Sequence, residues 1–477
     1  MIISAATYLK KYKPPTRFWV ASMLFMACLL NYMMKVNFSI NLVAMVEPTS
    51  NDSTPLPDYG QRYNWSQHDQ ANLLGAYFYG YLITSVPGGI LAERFGGKTV
   101  AGATLAASAI LTVLTPLSAS LGMGAVFAVR FVIGLLGGAT YPSCHNIISQ
   151  WAPPDEKGKF VAALMGGTFG TVITLPLSAV IVESMGWNWA FYISGIFSFA
   201  ICIIWFLVVA DTPAKHKHIS IDEQKYIEIS LGENLSKKRK WPPFLKLLTS
   251  LPFIALLLLH YGNMWGLTFL ITAAPKFLSE VLKFQLAKAG FLSSLPHLAR
   301  LLLAFGFGAV ADLIRRKSWL QTTKLRKSFC LFSHIIPGLF LILLGLVGRD
   351  PYVCVTIITL SLGFNGAASV TNLQNSQDLA PNYAGTLYGV INLFGTTPGF
   401  FSPLVVASFT HDENTLEQWK YVFFVGSAVY ITPALFFMIF GTAAVQPWNF
   451  DKKNDDKTIE LETGQTVAPE NKQTVPK

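Results

Sequence analysis

The chain has 477 residues, of which 52% are hydrophobic and only 13% are charged, and its formal net charge is +10. Because soluble globular proteins carry about 25% charged residues, this composition excludes a soluble enzyme and indicates an integral membrane protein. The basic excess is expected of the cytoplasmic loops of such a protein, so it does not predict a nucleic-acid partner.

Twelve apolar segments are long enough to cross a bilayer as helices, since a spanning helix needs about 20 apolar residues. We number them spans 1 to 12 in chain order. Spans 1 to 6 are predicted at 18–46, 72–92, 99–119, 123–149, 159–182 and 187–209. Spans 7 to 12 are predicted at 251–273, 288–311, 328–347, 352–376, 384–409 and 420–442. The sequence therefore predicts an all-α integral membrane fold with an N-terminal half at 18–209 and a C-terminal half at 251–442.

Polar stretches flank and separate the two halves. They are the N-terminus at 1–17, a central loop at 210–250 with a basic run at 237–240, and a tail at 443–477 that should be disordered. Most of the 36 lysines and arginines lie in these stretches and in the loops on the same side of the membrane. The positive-inside rule therefore places both termini and the central loop in the cytosol.

The loop at 47–70 falls on the opposite side of the predicted membrane. It contains two glycosylation sequons, Asn51-Asp-Ser and Asn64-Trp-Ser. Sequons that are used lie outside the cytosol, so they agree with the topology from charge and predict a glycoprotein. The five cysteines all fall in apolar segments without metal-ligand spacing, which predicts buried free thiols and no metal site.

Span 4 carries Arg130 roughly 13 Å along the helix, near the middle of the membrane. A charge at that depth costs at least about 2.5 kcal/mol, so it marks either a functional site or an arginine paired inside the bundle. Gly134, Gly137, Tyr141 and His145 fall within about 60° of it on a helical wheel. Our interpretation is an anion site facing a water-filled cavity, with Tyr141 and His145 as polar partners.

Two further cations lie inside predicted spans, Lys35 in span 1 and Arg300 in span 8. Lys35 and Arg130 predict an electropositive cavity that attracts small anions, because their spans supply no nearby carboxylate. For Arg300 two interpretations stay open, a contribution to this site from the other half and a local partner such as a backbone carbonyl. Asn263 in span 7 is a further candidate contact. The sequence offers no nucleophile–base pair and no metal-ligand cluster, so it does not predict an enzyme or a cofactor.

Two cytoplasmic loops repeat one pattern. The loop after span 2 reads GILAERFGGK from Gly89, and the loop after span 8 reads GAVADLIRRK, with glycine and acid at the same offset. Glu93 with Arg94, and Asp312 with Arg315, are predicted to latch neighbouring helices together. The repeated loops resemble the signature loops of the major facilitator superfamily, whose two halves rock around a site near the midplane.

Further motifs narrow the resemblance. They are TYPSCH at 140–145, WAPP at 151–154, YFYGY at 77–81, GFLSSLPH at 290–297, DLAPNYAG at 378–385 and QPW at 446–448. The chain resembles the solute-carrier family of type I phosphate cotransporters, sialin and vesicular glutamate transporters, including invertebrate members labelled as inorganic phosphate cotransporters. This resemblance implies secondary transport of inorganic phosphate or small organic anions, driven by Na⁺, H⁺ or the membrane potential.

The chain departs from that family at positions that bear on mechanism. Sialin and the glutamate transporters carry an acid in span 4 where this chain has Ile133 and Gly137, and Lys35 stands where the family often has arginine. The glutamate branch has an arginine and a histidine where this chain has Asn263 and Leu74. These departures argue against glutamate as substrate and against a span-four carboxylate as the proton carrier.

Na⁺ or the membrane potential is therefore the expected drive, with asparagine and serine oxygens of spans 1 and 10 as candidate Na⁺ ligands. Two alternatives stay open: a proton-coupled, sialin-like carrier of organic anions, and a non-transporting sensor or scaffold of the same family. We expect the carrier to function as a monomer in the bilayer. The plasma membrane is expected over lysosomal or vesicular membranes, because the sequence lacks a clear acidic dileucine signal.

We expect the outer loop to be glycosylated at Asn51, Asn64 or both when the protein is made in a glycosylating host, because both sequons face the lumen in the predicted topology. Glycosidase treatment should increase the gel mobility of the wild type. The double variant Asn51→Gln with Asn64→Gln should already migrate at the treated position. A wild-type protein whose mobility glycosidase never changes would contradict the placement of this loop outside the cytosol.

Overall fold

The computed structural model of the protein describes residues 14–47, 58–153, 156, 160, 162–231, 244–347, 350–380, 384–411 and 414–449. Asn51, the basic run at 237–240 and nearly all of the tail lie outside these residues. The described part is helical almost throughout, so the predicted all-α membrane fold is confirmed. Ten of its helical stretches are long and apolar enough to cross a membrane.

In the N-terminal half, spans 2, 3 and 4 are each divided into two helices, whereas spans 1, 5 and 6 are single helices. Span 1 is Thr16–Met45, span 2 is Gln67–Thr84 with Pro87–Phe95, and span 3 is Gly97–Val113 with Thr115–Ser120. Span 4 is Met123–Gly138 with Thr140–Trp151, span 5 is Gly166–Met185 and span 6 is Trp187–Val208. The chain that connects the two halves forms short helices at Pro213–Lys215, Ile221–Leu231 and Phe244–Leu248.

The C-terminal half has more irregular helices. Span 7 is Leu251–Lys276 with a π-helical turn at Phe277–Val281, and span 8 is Leu286–Arg316. Span 9 is Thr322–Cys330, a π-helical turn at Leu331–Ile335, and Ile336–Val347. Span 10 is Pro351–Asn365, a 3₁₀ turn at Gly366–Ser369, and Asn372–Leu379. Span 11 is Ala384–Thr396 with Pro398–Thr410, span 12 is Leu416–Phe440, and a 3₁₀ turn follows at Pro447–Asn449.

Spans 2 and 3 lack one long unbroken helix because prolines interrupt them. Pro87 and Pro116 each lie in the first turn of a new helix, where the missing backbone N–H is tolerated. Span 2 also begins at Gln67, earlier than the predicted start at residue 72. Ser66 Oγ accepts from Asp69 N at 3.1 Å while Asp69 Oδ2 accepts from Ser66 N at 3.0 Å, a capping box that the apolar pattern does not reveal.

Glycines bring the backbones of spans 2 and 4 into direct contact. A Cβ atom at Gly134 would lie 1.9 Å from Tyr77 O, and one at Gly80 would lie 2.1 Å from Phe131 O. Lipid provides no hydrophobic force between helices, so close packing of small residues stabilises such pairs. This contact sets the distance between Tyr77 and the part of span 4 that carries Arg130.

The two halves meet at one end of the bundle. We call this the outer end, following the predicted topology, and we call the opposite end, where residues 14 and 449 lie, the inner end. There Lys276 Nζ of span 7 donates hydrogen bonds to Gln67 Oε1 and, at 2.7 Å, to Gln70 Oε1 of span 2. Ala287 N of span 8 donates to Glu183 Oε1 of span 5 at 2.6 Å. These contacts close the outer end.

Toward the inner end the halves separate. The inner helices Pro87–Phe95 and Asn372–Leu379 make their main contacts within their own halves. Contacts between the halves therefore join them at the outer end and not through these two inner helices, and we call this arrangement inward-open.

The glycine contact predicts that Gly134→Leu prevents spans 2 and 4 from packing, because the new Cβ would overlap the backbone of Tyr77. We expect loss of monodisperse protein after detergent extraction, measured by fluorescence size-exclusion chromatography. Gly124→Leu is the matched control, because it lies in the same helix with nothing within 4 Å of its Cβ position. Equal yields of the two variants would show that the close approach is dispensable.

Candidate functional site

Lys35 places its ammonium group among aromatic rings in the middle of span 1. Its Nζ lies 4.5 Å from the ring centroid of Phe78, 4.9 Å from Tyr32, 5.5 Å from Tyr77 and 6.0 Å from Tyr81. The ring faces attract a cation by about 0.5–2 kcal/mol each, depending on desolvation. Within the described residues no carboxylate forms an ion pair with Lys35. The rings therefore hold the ammonium group without neutralising its charge.

Arg130 lies directly behind Lys35. Its Nη1 donates to Met34 O at 3.0 Å, its Nη2 donates to Lys35 O at 3.1 Å, and its Cζ lies 4.5 Å from the ring centroid of Phe38. Only 3% of the residue is exposed. The structure thus brings the two predicted cations together. In this conformation, however, Arg130 binds the backbone of span 1, whereas the ammonium group of Lys35 lies among the aromatic rings.

Arg300 supplies a cation from the C-terminal half. It is half-buried, and its Nε donates to Asn365 Oδ1 at 3.0 Å. It lies within electrostatic range of Tyr32 of span 1 and of Tyr388 of span 11. Because the Tyr32 ring also contacts Lys35, Arg300 and Lys35 approach the same central space from the two halves.

The remaining predicted contacts lie in different surroundings. Tyr141 is half-buried, its ring centroid lies 6.3 Å from that of Tyr32, and its hydroxyl donates to Leu164 O at 3.5 Å. His145 is exposed on the inner helix of span 4. Asn263 is fully buried, and neither atom of its amide has a hydrogen-bond partner among the described residues. Of these three residues, Tyr141 is the one that the structure brings to the central space.

The predicted latch residues lie at the open inner end. Glu93, Arg94, Asp312 and Arg315 are exposed, and none of them forms an ion pair within the described part of the chain. A Cβ atom at Gly89, the first residue of the repeated loop pattern, would lie 3.7 Å from Pro142 Cβ of span 4. The latches stay a prediction for a conformation in which the inner ends meet.

A buried polar chain in the C-terminal half was not predicted. Asn372 Nδ2 bonds His260 Nδ1 at 2.9 Å, and Thr371 Oγ1 donates to Asn372 Oδ1 at 3.1 Å. Ser333 Oγ lies 3.4 Å from Thr371 Oγ1 and 2.7 Å from His334 Nδ1. The chain joins spans 7, 9 and 10 at the π-helical turn of span 9 and the break in span 10. Neither histidine stands in a motif, and the helix irregularities that align them have no sequence signal.

Side-chain oxygens that can ligate Na⁺ differ between spans 1 and 10. In span 10, Asn365 Oδ1 and Asn372 Oδ1 accept hydrogen bonds from Arg300 and Thr371, whereas Asn375 Oδ1 is buried and has no partner among the described residues. In span 1, Asn37 Oδ1 and Asn41 Oδ1 are buried and have no hydrogen-bond partner among the described residues. Within the described residues, span 1 therefore offers two buried, unpaired amide oxygens and span 10 offers one.

Comparison with known proteins identifies relatives across most of the chain. The profile of the Major Facilitator Superfamily matches residues 24–403. Human sialin is 37% identical over 451 residues, which cover 91% of this chain and 90% of sialin. Human vesicular glutamate transporter 2 is 32% identical over 91% of this chain and 75% of its own length. Vesicular glutamate transporter 1 of Xenopus laevis is also 32% identical, over 93% of this chain and 78% of its own length.

Solved structures share the fold. A bacterial homologue of the human lysosomal transporter Spinster, in an inward-facing and occupied conformation, aligns with a TM-score of 0.66 at 14% identity, over 90% of this chain and 97% of that chain. The inward open conformation of the xylose transporter XylE from E. coli aligns with a TM-score of 0.66 at 13% identity, over 89% and 96%. With the profile match and the relatives above 30% identity, these likenesses confirm the resemblance drawn from the motifs. The chain belongs to the Major Facilitator Superfamily and, within it, to the family of membrane transporters that includes sialin and the vesicular glutamate transporters.

Proposed function

We propose that this transporter moves inorganic phosphate or a small organic anion by secondary active transport, and that Lys35 and Arg300 bind the anion from the two halves. The observation that supports the proposal is that Lys35 and Arg300 lie near the same Tyr32 ring, from opposite halves, without a carboxylate partner among the described residues. Fixed positive charge in a low-dielectric space attracts anions and repels cations. Arg130 supports Lys35 from behind.

Alternating access fits the way the halves are arranged. The outer end is closed by Lys276 with Gln67 and Gln70, while the inner helices of the two halves stand apart. An anion held between Lys35 and Arg300 would therefore exchange with the inner side in this conformation. Closure of the inner ends, with the predicted latches formed, would return the site to the outer side.

The aromatic lining bears on which anion is carried. Tyr32 and Phe78 contact the Lys35 ammonium group, and Tyr32 and Tyr388 lie within electrostatic range of Arg300, so the surroundings of the two cations are largely ring surface. A phosphate ion that loses its water needs hydrogen-bond donors on all sides, whereas a carboxylate on an apolar or sugar body can also pack against rings. Within the proposal, this lining favours an organic anion over inorganic phosphate.

For the driving force we propose Na⁺ or the membrane potential. The buried, unpaired amide oxygens of Asn37 and Asn41 support Na⁺, since hard cations take oxygen ligands. An uncompensated anion also moves down an electrical gradient toward the positive side. We further propose that the carrier acts as a monomer in the plasma membrane, with both termini in the cytosol.

A second candidate is a proton-coupled carrier of organic anions. It is supported by the polar chain of His260, Asn372, Thr371, Ser333 and His334, because histidine is the side chain that most readily changes charge near neutral pH. Arg300 and Tyr388 face this chain from spans 8 and 11.

The anion site predicts that Lys35→Ala abolishes uptake of radiolabelled phosphate, glucuronate and benzoate, each tested separately in proteoliposomes, because it removes a charge that faces the space. Lys35→Arg should retain part of the uptake, since the charge stays while the geometry changes. Arg130→Ala should also abolish uptake, because it removes the donors that hold the span 1 backbone.

Lys324→Ala is the control for the loss of a lysine, because Lys324 is exposed at the inner end of span 9. All variants should reconstitute in equal amounts. Undiminished uptake by Lys35→Ala or Arg130→Ala would overturn the site. Binding of an anion by the wild type without flux would instead favour the non-transporting sensor or scaffold.

The two candidate drives separate when Na⁺, pH and voltage gradients are imposed one at a time on the same proteoliposomes. We expect concentrative uptake with an inward Na⁺ gradient or an inside-positive potential, and none with an inward proton gradient at zero voltage without Na⁺. If the proton gradient alone drives uphill uptake, the second candidate replaces the first.

Histidine variants then locate the proton route. Loss of proton-driven uptake in His260→Gln or His334→Gln would place the route in the buried chain. Loss in His145→Ala or His297→Ala would place it instead at the histidines of spans 4 and 8.

A further inference from the structure

Two arginines of the C-terminal half, Arg326 and Arg300, differ in how their charge and their hydrogen-bond donors are used. Arg326 is 2% exposed, and its guanidinium group donates to Asp378 Oδ2 at 2.7 Å and Oδ1 at 3.2 Å, to Val370 O at 2.6 Å and to Gln374 Oε1 at 2.8 Å. Its charge is neutralised by a carboxylate and its donors are in use. Such an arginine holds helices together and has nothing left to offer a ligand.

Arg300 differs in both respects. Among the described residues, Nε is its one donor with a partner, and that partner is the neutral amide of Asn365. Both terminal nitrogens remain available, and the full positive charge is retained. A guanidinium group with this environment is oriented but not satisfied, which suits a group that binds and releases an anion.

The amide of Asn365 is itself fixed in one orientation. Its Nδ2 donates to Ser333 O at 2.8 Å, so its Oδ1 must face Arg300. Ser333 lies in the π-helical turn of span 9, and Asn365 is the last residue of the first helix of span 10. Helix irregularities of this kind are frequent at functional sites.

Close packing of spans 8 and 10 brings the amide to the right place. A Cβ atom at Gly366 would lie 2.6 Å from Arg300 O and 2.9 Å from Ala304 N. The absence of a side chain at Gly366 lets the break in span 10 rest against the backbone that carries Arg300. The distance from Asn365 to Arg300 is therefore set by backbone contact and not by a flexible side chain.

We propose that Asn365 is a positioning residue for transport: it aims the guanidinium group of Arg300 at the anion while leaving the charge of Arg300 unneutralised. This inference rests on the proposed function, because it assigns Arg300 to the substrate. It also explains the choice of side chain, since an aspartate at residue 365 would orient Arg300 equally well but cancel the charge that the anion needs.

The test measures KM and maximal uptake rate in proteoliposomes for phosphate, glucuronate and benzoate. Asn365→Ala should raise KM about tenfold, the effect expected from losing a hydrogen bond to a charged group. Its maximal rate should stay within about twofold of wild type. Asn365→Asp, which keeps the size and an acceptor oxygen, should raise KM at least as much. It serves as the readout if Asn365→Ala fails to fold.

Ser361→Ala is the matched control. Ser361 Oγ donates to Pro337 O at 3.1 Å, so this variant removes another hydrogen bond between spans 9 and 10 without touching Arg300. Its KM should equal that of the wild type. A merely structural role for Asn365 would make Ser361→Ala and Asn365→Ala behave alike.

A double-mutant cycle with Arg300→Ala decides the matter, because a positioning residue has no effect once its target is gone. Asn365→Ala should then raise KM no further. An equal rise in both backgrounds, or wild-type behaviour of Asn365→Asp, would overturn the inference. An unchanged KM in Arg300→Ala would also overturn the inference about Asn365. If Lys35→Ala still loses uptake in that case, the proposed function itself stands. Failure of the wild type to carry any of the three anions would count against the proposed function itself.

Discussion

The structure depends on keeping positive charge in the middle of a membrane without cancelling it. A buried cation is usually stabilised by a carboxylate, but such a pair would leave nothing to attract an anion. Here three neutral kinds of partner take that role. Aromatic rings surround Lys35, backbone carbonyls receive Arg130, and a single amide orients Arg300. Each stabilises the positive charge without neutralising it.

Those partners are placed by the irregular and glycine-rich parts of the helices. Gly134 lets span 4 approach span 2, which sets Tyr77 and Arg130 around Lys35. Gly366 does the same for spans 8 and 10, where the helix break leaves Asn365 beside Arg300. Regular helices alone would place the cations at the right depth but would not fix their neighbours.

The difference between the regular helices and their irregular or glycine-rich parts also explains what the sequence can and cannot predict. Hydropathy predicts the all-α fold, and rarity in apolar segments singles out Lys35, Arg130 and Arg300, because both signals are local. The groups that contact each cation, in contrast, come from distant parts of the sequence. The helical wheel at Arg130 selects Tyr141 and His145, yet the guanidinium group turns toward the carbonyls of span 1. Asn365 and the chain from His260 to His334 need the π-helical turn of span 9 and the break of span 10, which no residue pattern marks.

The hydrogen bonds that close the outer end affect the balance between the two conformations of the carrier. Both pair a charged side chain with a neutral group: Lys276 bonds two glutamine amides, and Glu183 receives a backbone N–H. Among the residues that the structure describes, opening the outer end therefore separates no ion pair across the halves, and the charges that are freed become hydrated. The populations of the inward-open and outward-open states should accordingly depend little on ionic strength, which leaves the occupancy of the central site to decide which state the carrier prefers.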